Sequence, residues 1–275
     1  MNKRVGFVAY LILFVLMVLL LFPVYWMFVT SLKTNLVIYR YPPEWFPHTP
    51  TFASYISLFK SGDFIGYYLN NFIVSVLTTA LTIILAIFAG YTLSRFRFKG
   101  NKFLMLSLLS TQMFPVVGIL IALYSLFKTF HLLNTRLGLV VALTAMSLPF
   151  CIWLIKGFLD DIPLSLEEAA SIDGCGRTGT LVRIVLPLSK PGILAIGIYT
   201  FLQAWDDFVI CLTLITKDSL RTLSTGIALK YLGELSYDWA TVMTISVIAT
   251  VPLLLLFVFF QRYMIQGLTA GGVKG

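Results

Sequence analysis

Ile162–Pro187 reads IPLSLEEAASIDGCGRTGTLVRIVLP. It is the longest stretch of the chain that looks soluble, and it lies between two strongly apolar segments. Pro163 can open a helix here, because its missing N–H would have no partner in a first turn. Ser165-x-x-Glu168 has capping-box spacing and offers an alternative start two residues later. Glu167 and Glu168 then stand where the helix dipole favours negative charge. Ala169 and Ala170 are strong helix formers of little bulk. Gly174, Gly176 and Gly179 break the helix or let another backbone come close. A second short helix, over residues 178–185, is expected to end at Leu186-Pro187. The segment predicts a compact helix–turn–helix knob of small residues, suited to a groove on another protein. An ordinary amphipathic surface helix is the alternative.

The rest of the chain puts this knob on a membrane protein. Of 275 residues, 59% are hydrophobic and 12% charged, about half the charge of a soluble domain. The formal charge of +8 reads as basic loops beside a bilayer, not as nucleic-acid binding. Cys151, Cys175 and Cys211 are three, widely spaced and without a CxxC pattern. They read as small buried hydrophobes rather than metal ligands or a disulfide framework.

The expected fold is all-α, one membrane domain with six transmembrane helices, each near the ~20 residues that cross a ~30 Å core. Val5–Leu32 follows Lys3 and Arg4 and imitates a signal peptide. It is too long and lacks a small-residue cleavage site, so it is expected to be the first span with its N-terminus inside. Lys33–Asp63, broken by prolines and carrying His48, is an outside loop, with Trp45 at the membrane interface. Asn70–Ser94 is the second span and ends in the basic run Arg95-Phe-Arg97-Phe-Lys99. Phe103–Phe127 is the third, with a kink at Pro115. Lys128–Arg136, with His131, turns outside. Leu137–Ile155 is the fourth, Ile193–Thr216 the fifth and Trp239–Gln261 the sixth. Twelve of the 20 basic residues fall on the side that holds the knob, which places it in the cytoplasm. No repeat shows in the hydropathy, which weighs against a secondary transporter built of two halves.

No G-x-x-x-x-G-K-[ST] occurs, so the chain has no phosphate-cradling loop of that kind. A pump built on this chain needs its ATPase on another subunit. Trp205-Asp206-Asp207-Phe208 interrupts the fifth span. A carboxylate in a membrane helix costs ~2.5–3.5 kcal/mol on insertion scales. At about 1.5 Å per residue from Pro191, Asp206 lies ~22 Å along the helix. One aspartate can line a solute pathway while the other bonds a neighbouring helix; interhelical hydrogen bonding alone is the alternative. Trp205 and Phe208 offer faces that stack on sugar rings. Gln203 and Gln112 are further pathway candidates, although polar groups between membrane helices are commonly packing contacts. A membrane enzyme would need a nucleophile–base pair or metal ligands at depth, and both histidines fall in loops. A channel would not need the knob.

Glu168-Ala169-Ala170, Gly174, Ile184 and Leu186-Pro187 match, without a gap, the EAA loop of ABC importer permeases. Gly90-Tyr91, the run 95–100, Thr111–Pro115, Trp205 and the tail 261–275 resemble sugar-importer permeases of the MalG type. An importer of another solute, such as a polyamine or sulfate, shares the EAA loop and is the alternative; the tail argues for sugar. The resemblance covers nearly the whole chain. It implies the type I ABC importer permease fold over residues 1–275, with a core at 70–262. Residues 156–190 would form the coupling loop and 262–275 a cytoplasmic tail. It implies docking on an ATPase through Glu167, Glu168, Ala169, Ala170, Asp173, Gly174, Ile184, Leu186 and Pro187. Leu268, Thr269, Gly271, Gly272, Lys274 and Gly275 of the tail would reach into the ATPase dimer. It also implies a second, homologous permease and an extracytoplasmic sugar-binding protein in a bacterial or archaeal plasma membrane. ATP and Mg2+ would bind the ATPase, and this chain would hold no cofactor. Two departures stand out. Cys175 replaces the usual alanine, and Asp206-Asp207 replaces an amide–acid pair, which would disfavour anionic solutes.

Overall fold

A computed structural model describes residues 3–231 and 238–270. Four of its helices are long and apolar enough to cross a membrane, and two bent pairs raise the number to as many as six.

α1 (Lys3–Ser31) is the first span. The loop after it carries two short helices, α2 (Asn35–Ile38) and α3 (Ala53–Lys60). α4 (Asp63–Arg95) starts earlier than the expected Asn70. The turn before Asn70 is apolar, and Asp63 supplies negative charge to the first turn. The third span is broken, not merely kinked. α5 (Asn101–Ser110) and a 3-10 turn at Thr111–Met113 lead to α6 (Val116–Thr129), at 102° to the first half. Pro115 forces Phe114 into an extended conformation (φ −79°, ψ 130°) and offers no N–H to continue the ladder. α7 (Arg136–Asp160) runs unbroken through Pro149, its start capped by the Thr135 hydroxyl.

The knob follows as α8 (Leu164–Ile172), α9 (Arg177–Thr180), a π-helical turn at Leu181–Val185, and α10 (Leu186–Leu188). Helix therefore continues through Leu186-Pro187 instead of ending there. The π turn directly before Pro187 widens the ladder where a proline ring would otherwise meet a carbonyl. The helix stops at Ser189, and residues 177–188 meet α11 (Lys190–Trp205) at 76°.

The expected fifth span, Ile193–Thr216, is not one helix. α11 ends at Trp205, and α12 (Val209–Leu214) starts afresh after Asp206-Asp207-Phe208. α13 (Leu223–Tyr231) lies between the expected fifth and sixth spans, and α14 (Trp239–Ala270) closes the series.

The chain packs as two compact units, Met1–Ile65 with Gly226–Leu253 and Gly66–Thr225 with Leu254–Gly275. In the first, buried Lys33 donates to the Glu44 carbonyl and lies 4.7 Å from the Trp26 ring. Asp238 accepts from the Asn35 amide at 2.8 Å. In the second, one core joins Ala86, Cys151, Ile155, Val185 and Ile196, which ties the knob's π turn to α4, α7 and α11. Another joins Val74, Leu139, Ala142, Cys211 and Leu214, which seats α12 on α4 and α7.

Candidate functional site

Beside the apolar core at its π turn, the knob is held by an ion pair. Glu167, in the first turn of α8, points inward. Arg95 Nε donates to its Oε1 at 2.5 Å and the Tyr91 hydroxyl to its Oε2 at 2.8 Å. The Arg95 and Glu167 side chains are only 8% and 13% exposed. The same guanidinium donates to the Ile162 carbonyl at 3.2 Å and to Ser94 Oγ at 3.0 Å. Ser94 in turn donates to Asp160 at 2.6 Å. The last turn of α4 thus grips both the entry to α8 and the end of α7. Gly90 lets this happen: a Cβ there would come within 2.6 Å of the Ile155 side chain, so α4 and α7 approach closely just before Tyr91. In the sequence Arg95 serves as a topology signal and as part of the resemblance, with no partner assigned to it. An acid-rich helix shortly after a basic run was the available clue that the two would pair.

α8 opens directly after Pro163, and its N-cap makes no side-chain hydrogen bond, so the Ser165 capping box does not form. Its C-terminus is a Schellman cap. Cys175 N–H donates to the Ala170 carbonyl at 2.9 Å and Gly174 N–H to the Ser171 carbonyl at 3.2 Å. Gly174 has φ +83°, and a Cβ there would meet nothing within 4 Å. What demands glycine within this chain is therefore the left-handed backbone, not a close neighbour.

The residues expected to meet an ATPase divide by face. Glu168, Ala169, Asp173, Gly174 and Pro187 are exposed, as is Ile172, which sequence reasoning passed over and which is 87% exposed. Ala170 is buried, Glu167 is paired inward, and Ile184 and Leu186 are half-buried. Of the expected tail, Leu268 and Thr269 belong to α14. Gly271, Gly272, Lys274 and Gly275 lie outside the described residues.

The pathway candidates differ in burial and in partners. Trp205 is 5% exposed. It stacks on Phe201 at 5.5 Å and meets Tyr68 edge-on at 5.7 Å, and its carbonyl accepts from Asn71 at 3.2 Å. It is a core residue of the second unit and offers no free face for a sugar. Asp207 accepts from the backbone N–H groups of Cys211 at 2.9 Å and Ile210 at 3.3 Å, which caps α12. That local bond is what lets the chain leave α11 and restart. Asp206 and Gln203 are exposed, and Phe208 is 37% exposed. Gln112, on the 3-10 turn before Pro115, donates to the Met146 carbonyl at 2.9 Å. Among the described residues, no group of three His, Cys, Asp or Glu is placed to hold a metal ion.

Residues 82–270 match the model of the family described as "binding-protein-dependent transport system inner membrane component". The chain belongs to that family. It is a permease component of such a transporter, a multi-pass membrane protein and not an enzyme. The chain is similar to a sulfoquinovosyl glycerol transport system permease of Agrobacterium fabrum, with 39% identity covering 93% of this chain and 89% of that one. It is also similar to a diacetylchitobiose uptake system permease of Streptomyces coelicolor, with 33% identity covering 95% and 94%. A solved bacterial ABC transporter, involved in the import of the acidic polysaccharide alginate, has a chain that superposes with TM-score 0.84. It shares 20% identity, covering 95% of this chain and 97% of that one. This likeness bears out the permease fold.

Proposed function

We propose that this chain is the permease subunit of an ATP-driven, binding-protein-dependent importer of a sugar, in particular an oligosaccharide or glycoside. The carrying observation is a gapless EAA segment, anchored to a membrane span, in a chain similar over nearly its whole length to permeases named for sugar uptake. The knob faces the cytoplasm and docks on a dimeric ABC ATPase, which binds ATP and Mg2+. Glu168, Ala169, Ile172 and Asp173 form the docking face, while Glu167 anchors it. The tail from Leu268 to Gly275 extends the same contact. A second, homologous permease completes the pathway, and an extracytoplasmic binding protein delivers the solute. Both termini are cytoplasmic, in a bacterial or archaeal plasma membrane. Gln203, Asp206, Phe208 and Gln112 are the exposed candidates for contact with solute, while Trp205 and Asp207 shape the break at residues 206–208.

Alternating access follows if docking favours the inward and outward states unequally. Closure of the ATPases displaces α8, and the Glu167–Arg95 contact passes that displacement to α4. Anchored in this way, the knob cannot move without its span.

The test is ATP hydrolysis in proteoliposomes holding this chain, its partner permease and its ATPase, with binding protein loaded from a panel of mono-, di- and oligosaccharides. Stimulation by one saccharide class is expected. An assembled complex that no saccharide stimulates would overturn the sugar assignment. Gly174→Asp is expected to abolish uptake while the chain still inserts; normal uptake would remove the knob from the mechanism.

A further inference from the structure

The end of the second unit that carries the knob also holds an open cleft of about 1590 Å³. The ends of α4 and α7 and the starts of α5 and α11 enclose it. Its lining is two-sided in chemistry. Phe103 and Trp153 are apolar, large and exposed (77% and 47%). Arg97, Lys102 and Lys156 add cations, and Asp160 and Asp161 carboxylates. Lys156 and Asp160 neutralise each other at 2.5 Å. Arg97 and Lys102 are exposed and enter no ion pair among the described residues. The spans Asp63–Arg95 and Arg136–Asp160 both terminate beside the cleft, which sets it where hydrocarbon gives way to headgroups. A basic run at a span end serves topology alone when its side chains point into open water. Here the unpaired cations share a concave wall with exposed aromatic rings.

We propose that this cleft is a binding site for an anionic phospholipid, its phosphodiester held by Arg97 and Lys102 and its acyl chain laid along Phe103 and Trp153. Basic pockets between membrane helices bind acidic headgroups in this way. Apolar side chains this exposed at bilayer depth are stable against an acyl chain and costly against water. The assignment of the lipid to the inner leaflet rests on the orientation proposed above; the site itself does not. A lipid seated here touches the helix ends that grip α8, so headgroup charge in the membrane would modulate coupling.

The experiment is native mass spectrometry of the purified full chain titrated with dioleoyl-phosphatidylglycerol or dioleoyl-phosphatidylcholine. Each cation is worth about fivefold in affinity. Arg97→Gln/Lys102→Gln should weaken phosphatidylglycerol about thirtyfold. Lys128→Gln, at the far end of α6, should leave it unchanged. Gly157→Trp fills the cleft from α7, where a Cβ meets nothing within 4 Å, and should displace the lipid without altering any charge. Equal retention of the two lipids, or of phosphatidylglycerol by the double variant, overturns the proposal. So does unchanged binding to Gly157→Trp. None of these readouts involves sugar uptake, so the lipid site and the transport assignment fail separately.

Discussion

Within α4, the Tyr91–Arg95 turn and the Asn71–Thr82 stretch treat buried polar groups in opposite ways. At the first, the Arg95 guanidinium and the Glu167 carboxylate are matched donor to acceptor, with Tyr91 and Ser94 filling further positions. At the second, Asn71, Ser75, Thr78 and Thr82 are all 0% exposed. Their spacing puts them on one helix face. Yet Asn71 Oδ1 and the three hydroxyls have no hydrogen-bond partner among the described residues. A satisfied buried ion pair resists displacement, because separating it strands a charge. An unpartnered hydroxyl gains when a neighbouring helix shifts or water enters. The helix is thus clamped at the knob and left adjustable in its interior. That division suits a part that must transmit motion from one end into a rearranging core.

The largest effect should come from breaking the clamp. Arg95→Met leaves Glu167 buried and unpaired, and the chain should lose about 3–5 kcal/mol of stability in denaturant titrations in micelles. Adding Glu167→Leu should recover most of that loss. A loss below about 1 kcal/mol for Arg95→Met would mean the pair is a surface contact. Gly174→Val sharpens the same region. It forces a β-branched residue into φ +83°, costing about 1–2 kcal/mol. Hydrogen exchange should speed up in the last turn of α8 and not in α7; uniform exchange rates would contradict the Schellman assignment. Asp207→Ala removes the cap on α12 and should cost about 1 kcal/mol, while Asp206→Ala should stay within about 0.5 kcal/mol. Equal losses would show that both acids serve the fold. The smallest effect belongs to the interior. Thr78→Val removes an unpartnered hydroxyl at nearly constant shape and should be neutral or up to about 1 kcal/mol stabilising. A clear destabilisation would mean that the hydroxyl is satisfied after all.

Much of this was legible in composition and spacing. Hydropathy located the four long apolar helices, and Pro115 marked the place where the third span bends. The EAA spacing located the knob and its glycine. Periodicity failed where a side chain competes with the helix ladder. Asp207 looked like a pathway acid in a continuous helix, and a carboxylate that caps a new helix has the same local sequence. Trp205 looked available for stacking because apolar patterning in a membrane helix does not distinguish lipid, cavity and core. The continuation of helix through Pro187 depends on a π turn, which has no strong sequence signature. The Glu167–Arg95 pair joins residues far apart in sequence, so only the fold reveals which of the two adjacent glutamates faces out.

That last distinction allows the most direct test of the proposed docking. In a Cys175→Ala background, single cysteines at positions 167 and 168 would be cross-linked to the ATPase subunit in assembled transporter. The native Cys151 and Cys211 are buried and should stay silent. Glu168→Cys should cross-link efficiently and Glu167→Cys weakly, because adjacent helix positions point about 100° apart and only Glu168 faces out. Cross-linking at 167 in preference to 168, or at neither in a complex that hydrolyses ATP, would contradict the account.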